Sequence, residues 1–340
     1  MYLDELSKRF RNFAEIECRD SSPLYEHLSL QLAEDIELLE LSSHARPGQP
    51  VPNLLFGAVH LLLFEQQSHP LKDFYMSIVN HPKSPQDAFP YFRDFCEENT
   101  DEIISLLQSK LVQTNEVRRC AYLYPAFSFI YEKTKMPLAL IEIGTSGGLQ
   151  LLWDQYQYSY NENNERFGNL ESQLLISSTI RGAHQPNIIE TSPPVTSRTG
   201  FDLHINNKAD HPWLKALIWP EHEERRALFD QAVKSLRDID LELIEGDGVE
   251  LFVQKVEEIP ESQLVCIFHT HVANQIPEES KQELMRKIKE LGLKRNVCHL
   301  YNNMWDRKLH LDFYLDGEEY QHTVGETEGH GKWFEWNIPS

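Results

Sequence analysis

Cysteine is scarce in this chain and never paired. Cys18, Cys96, Cys120, Cys266 and Cys298 lie far apart and form no C-x-x-C motif, so neither a disulfide framework nor a cysteine zinc site is indicated. A reducing, cytoplasmic setting fits that usage. Long apolar runs are also lacking. The longest, L-L-F-G-A-V-H-L-L-L-F at 54–64, falls short of the roughly 20 residues that cross a bilayer and reads as a buried helix. The opening M-Y-L-D-E-L-S-K-R-F-R-N-F has amphipathic helical spacing instead of the basic start and apolar core of a signal peptide. Cations are few, 32 against 53 acidic residues, for a formal net charge of −21. A field of that sign repels duplex nucleic acid and anionic membrane surfaces. The expected partner is therefore a small molecule, neutral or cationic, with neither nucleic acid nor membrane; composition does not give the oligomeric state.

The chain does have enough mass for about two compact units: 340 residues, 41% of them hydrophobic. Up to about residue 135 the apolar spacing is three to four. Leu24, Leu28, Leu32, Ile36 and Leu39 share one helical face, with breaks at R-P-G-Q-P-V-P (46–52) and N-H-P-K-S-P (80–85). This predicts an α-helical N-terminal domain over 1–135. From about 137, β-rich runs alternate with helical ones: P-L-A-L-I-E-I, L-Q-L-L-W-D-Q-Y, L-E-L-I-E-G-D, Q-L-V-C-I-F-H. That alternation predicts an α/β domain over 136–340 built on a mostly parallel sheet, and K-L-H-L-D-F-Y-L-D-G-E-E-Y-Q-H-T-V adds an antiparallel hairpin turning at Asp316-Gly317.

The loop E-I-G-T-S-G-G-L (142–149) follows the first strand-like run, where open parallel sheets bind ligands. Gly144, Gly147 and Gly148, with Thr145 and Ser146 between them, let the backbone approach a ligand, and the helix expected to open near Leu149 offers amides to an anion. G-x-x-G-G is not the G-x-G-x-x-G that seats a pyrophosphate. Glu142 would also repel a pyrophosphate, but it can accept from an ammonium group or sit beside a sulfonium, which favours S-adenosylmethionine. Asp202, ending R-T-G-F-D, is the candidate for the ribose hydroxyls; Gly246 and Asp247, ending L-E-L-I-E-G-D, are placed to reach adenine. Either aspartate also fits an ordinary turn or helix cap. Asp202 comes 60 residues after Glu142 where about 20 is usual, so an insertion near 160–198, containing Q-L-L-I-S-S-T-I-R-G, is required. His269 and His271 follow a strand at period two, which predicts a shared face and a general base among them.

E-I-G-T-S-G-G-L-Q-L resembles the E-x-G-x-S-x-G-L-N-L motif of a family of uncharacterised bacterial proteins with a methyltransferase-like Rossmann fold. The likeness extends over A-V-H-L-L-L-F (58–64), H-P-L (69–71), Q-T-N-E-V-R-R (113–119), R-T-G-F-D-L (198–203), W-L-K-A-L-I-W-P-E-H (213–222), E-G-D (245–247), I-F-H-T-H (267–271) and H-G-K-W (330–333). Gly147 and Gln150 depart from the motif's usual alanine and asparagine. The resemblance implies a class I methyltransferase sheet and S-adenosylmethionine as cofactor. It also implies that Gln113, Asn115 and Glu116, with Arg119 a turn further on, belong to a lid over the cofactor; a capped helix with an ion pair explains the same residues structurally. His322, His330, Trp333 and Trp336 are either core or one wall of a substrate pocket. Two further functions compete with methyl transfer. One is a metal-dependent hydrolase built on His269 and His271, for which spacing fixes no third ligand. The other is a non-catalytic binding protein that keeps the fold.

Overall fold

A computed structural model describes residues 2–65 and 68–339. The chain divides into two compact units, Met1–Thr114 with Lys208–Ala227, and Asn115–Asn207 with Leu228–Ser340. The division therefore does not fall at residue 135. Two packing facts account for this. The helix Cys120–Thr134 sets Phe127 against Phe268 of the sheet, ring centroids 5.6 Å apart, and the segment after residue 208 sends Trp213 and Ala216 into the helical core.

The first unit is a helical bundle around Val51–Glu65, whose residues are buried on nearly every side. Local chemistry starts its helices. Ser22 accepts from the Tyr25 amide ahead of Pro23–Leu32, and Asp35 accepts from Leu38 N ahead of Ile36–Ser42. The second cap breaks the helical face expected from spacing. Leu24, Leu28, Leu32 and Leu39 are buried as anticipated, but Ile36 opens a new helix and is 66% exposed. His60, fully buried, holds Ala216 O at 2.9 Å through Nδ1 and Ser77 Oγ at 2.6 Å through Nε2; burial pushes it down to about 3, so it stays neutral. Replacing His60 with leucine strands both partners. Urea unfolding of that variant is expected to show a loss of about 3 kcal/mol, and a loss below about 1 kcal/mol would contradict this role.

Among the described residues the second unit contains eleven strands: β1 Leu138–Ile143, β2 Gln157–Tyr160, β3 Phe167–Gly168, β4 Leu175–Arg181, β5 Val195–Asp202, β6 Glu242–Glu245, β7 Leu264–His269, β8 Val297–Asn302, β9 Lys308–Leu315, β10 Glu318–Glu326 and β11 Trp333–Glu335. Seven form one sheet in the order β6-β5-β1-β7-β8-β9-β10. The pairs from β6 to β8 are parallel, and β8-β9 and β9-β10 are antiparallel. This is a mixed, mostly parallel α/β sheet, as the alternating runs predict. Asp316 and Gly317, at φ 52° and 82°, make the terminal hairpin turn. On one face Ala139, Ile141 and Ile143 of β1 pack with Val249, Phe252 and Val256 of the helix Gly248–Glu257 and with Leu284 and Ile288 of Glu278–Gly292. Leu138, Leu140 and Glu142 alternate to the other face.

The connection from β1 to β5 departs from expectation. A 3₁₀ segment, Leu149–Gln155, replaces the amphipathic α-helix, and β2 follows at once. With β3, β4 and β11 it builds a second sheet in the order β11-β4-β2-β3, so the expected insertion is a folded layer that begins at residue 157. The 3₁₀ segment is too buried to act as an open amide terminus: Leu149 to Asp154 are all inside, Trp153 stacks on Phe127 at 4.7 Å, and Asp154 pairs with Arg198 of β5 at 2.5 Å.

Candidate functional site

The order of β1, β5 and β6 runs one way from β1, and that of β7 and β8 the other, so the carboxyl ends of β1 and β7 flank the point where sheets of this kind bind ligands. Gly144 leaves β1 with φ 78°, and the loop folds back. Gly144 N and Thr145 N both donate to Phe201 O, at 2.8 and 3.0 Å. Asp202, ending β5, clamps it: Oδ2 accepts from Ser146 N at 2.8 Å and Oδ1 from His204 N at 3.0 Å, while Asn206 Nδ2 donates to Ser146 Oγ at 3.0 Å. Both carboxylate oxygens of Asp202 are thus engaged by backbone amides. Gly147 lies in the turn, and Gly148, at φ 76°, begins the 3₁₀ segment.

Glu142 is buried, and its Oε2 accepts from Thr145 Oγ1 at 2.6 Å. Burial raises the carboxyl to about 8, partly offset by the Thr145 hydroxyl; nearby Asp202 adds to the rise and Arg119 opposes it. At pH 7 it is mostly protonated. Gly246 N donates to Asp202 O at 2.8 Å, tying the ends of β5 and β6. Asp247 is exposed and caps the helix Gly248–Glu257, its Oδ1 accepting from Val249 N at 2.8 Å.

Beside Glu142 a polar cluster gathers from four segments. Glu116, buried, caps the 3₁₀ turn Val117–Arg119, accepting from Arg118 N at 3.3 Å, and its Oε2 lies 3.2 Å from His330 Nδ1. Arg119 Nε donates to Gly329 O at 3.0 Å. Gly331, at φ 74°, lets the 329–331 turn lie against this segment, since a Cβ there would meet Arg118 O at 2.6 Å. Gln150 Nε2 donates to Glu116 O at 3.3 Å, and Thr270 Oγ1 to Gln150 Oε1 at 2.8 Å. Burial, helped by the nearby Arg119 guanidinium, lowers His271 to about 3. His271 is therefore neutral at physiological pH, suited to holding a hydrogen bond more than to storing a proton.

His269 and His271 do not share a face. β7 ends at His269, which is fully buried with its Nε2 3.2 Å from His299 Nε2. His271 has φ 57°, which ends the strand alternation; its amide donates to Asn302 Oδ1 at 2.8 Å, and Asn303 Nδ2 donates to its Nδ1 at 3.0 Å. Nε2 of His271 is buried with no hydrogen-bond partner among the described residues. Neither histidine joins a group of three possible metal ligands among those residues.

The remaining candidates lie elsewhere. Gln113 belongs to the helical unit, and Asn115 begins the sheet unit. The Trp333 ring carries Arg181 at 4.4 Å on the small sheet, His322 packs on Phe129 and Phe313, and Trp336 is core, its Nε1 donating to Ile338 O at 3.0 Å. Sequence reasoning missed Gln150 as a bridging side chain, Thr270, and the Asn302-Asn303 pair. The asparagines had a visible signal, two adjacent amides ending the apolar run of β8.

Residues 7–336 match the model of a family described as "Uncharacterized protein conserved in bacteria (DUF2332)". The chain belongs to this family. No protein of curated function and no solved structure matches the chain. In this DUF2332 chain the second arginine of Q-T-N-E-V-R-R and the turn preceding H-G-K-W, more than 200 residues apart, meet through the Arg119 to Gly329 bond.

Proposed function

We propose that the sheet unit binds S-adenosylmethionine and transfers its methyl group to a small molecule. One observation carries the reading: Glu142, buried and mostly protonated, lies at the carboxyl end of the central strand beside the left-handed Gly144 loop. A carboxyl kept neutral by burial becomes favourably charged when a cation arrives, whereas a pyrophosphate would oppose its ionisation. The strand order supports the same reading, since five parallel strands in the order third-second-first-fourth-fifth, then antiparallel strands, suit a class I methyltransferase sheet. The 3₁₀ segment after the glycine loop is this chain's own variation on it.

The residues fit the cofactor in three respects. Gly144 leaves a cradle that a Cβ would fill, Glu142 offers a carboxylate to a cation, and Asp202 ends the neighbouring strand with its carboxylate on the loop. When bound, S-adenosylmethionine supplies an electrophilic methyl group. Glu142 would hold the cationic end, Asp202 the ribose, and neutral His271, whose Nδ1 accepts from Asn303, would donate to the acceptor molecule through Nε2. Alignment supplies most of the catalysis in such a site, so few chemically distinctive side chains are needed.

Calorimetric titration of the full chain with S-adenosylmethionine and S-adenosylhomocysteine, with NAD as control, tests the reading. Binding that is lost in both Glu142→Ala and Asp202→Ala is expected, with no heat from NAD. A folded wild-type protein that binds neither sulfur compound would refute it.

A further inference from the structure

We infer that His69, Asp94 and Glu98 of the helical unit form a surface site for a divalent transition-metal ion of the zinc class. Their ligand atoms all lie within 4.8 Å of one another. Asp94 and Glu98 are four residues apart on the helix Phe89–Glu98, so their carboxylates stand on one face and repel each other unless a cation lies between them. The imidazole sets this pair apart from an ordinary acidic patch. The His69 side chain is only 6% exposed, and its ring packs edge-on to Phe95 at 4.9 Å. Its Nε2 is buried without a hydrogen-bond partner and points between the two acids, 3.5 Å from Asp94 Oδ2 and 3.9 Å from Glu98 Oε2.

An imidazolium held by two carboxylates is the competing explanation, and Nδ1 argues against it. That atom accepts from Leu71 N at 3.1 Å, so in this geometry it carries no proton. The ring is therefore neutral with its hydrogen on Nε2, facing acids too distant for a good hydrogen bond. A metal ion would take the Nε2 lone pair and move that hydrogen to Nδ1, which breaks the Leu71 bond. The loss costs about a tenfold factor in affinity. One nitrogen and two anionic oxygens supply far more than this, and they are a donor set suited to zinc, cobalt or nickel. Sequence spacing could not show the site, because His69 precedes Asp94 by 25 residues (94 minus 69) in no recognised ligand pattern.

The test is titration of tag-free, chelator-treated full-length protein with ZnCl₂ by calorimetry, followed by amide spectra. The expected result is one site in the micromolar range, weakened about tenfold or more in both His69→Gln and Glu98→Gln, with a shift of the Leu71 amide on zinc addition. Glu98 is exposed, so Glu98→Gln keeps the test valid if His69→Gln misfolds. Absence of saturable binding, or binding that both variants retain with the Leu71 amide unmoved, overturns the proposal.

Discussion

Gly144→Ala is expected to lose about 2–4 kcal/mol of stability in urea unfolding and roughly tenfold or more in affinity for S-adenosylmethionine. Two effects add. Gly144 sits at φ 78°, a conformation costly for any residue with a side chain, and its Cβ would lie 2.6 Å from Val272 Cγ2 and 2.8 Å from Val272 Cβ. The second distance makes the prediction sharper. Adding Val272→Ala removes the γ-methyls but neither the Cβ contact nor the dihedral strain, so the double variant should recover less than half of the lost stability. Wild-type stability in Gly144→Ala would mean that the loop is not the close-fitting cradle described here.

Glu142 is expected to make stability and binding respond to pH in opposite directions. In the folded chain burial raises this carboxyl to about 8, against the ordinary 4.5 of an unfolded glutamate. The folded state therefore holds a proton that the unfolded chain gives up between pH 4.5 and 8, and stability falls as pH rises through that window. At pH 7 the cost is on the order of 3 kcal/mol. Glu142→Gln, which cannot ionise, should be more stable than wild type at pH 7 and match it near pH 4. Affinity for a cationic ligand should rise with pH in the wild type and level off above about 8, and should be low and flat in Glu142→Gln. Urea unfolding and titration across pH 5–9 would read both; a variant that gains no stability at pH 7 would refute the buried, protonated carboxyl.

The sheet was largely readable from sequence because its signals are local: β1 is an apolar run interrupted only by Glu142, β7 one closed by His269, and the hairpin turn announces itself at Asp316-Gly317. The unit boundary was not. Trp213 and Ala216 belong to the helical core through contacts with Gly57 and His60, each 156 positions away (213 minus 57, 216 minus 60), and no local pattern records that. The same limit applies to the site. Gly144, Glu142 and Asp202 could be picked out because they end strands. By contrast, the Glu116 to His330 pair and the Asn302-Asn303 support of His271 depend on chain segments that meet only when folded. The pairing of His269 and His271 failed for a local reason that spacing cannot reveal: a left-handed residue at 271 ends the alternation.

Proton release on ligand binding tests the central claim most directly. The measurement is calorimetric titration with S-adenosylmethionine at pH 7 in two buffers of different ionisation enthalpy. With Glu142 at about 8 in the free protein, roughly nine-tenths of a proton should be released per cofactor bound, and none in Glu142→Gln. Binding with no net proton release in the wild type would contradict the assignment of Glu142 to the cationic end of the cofactor.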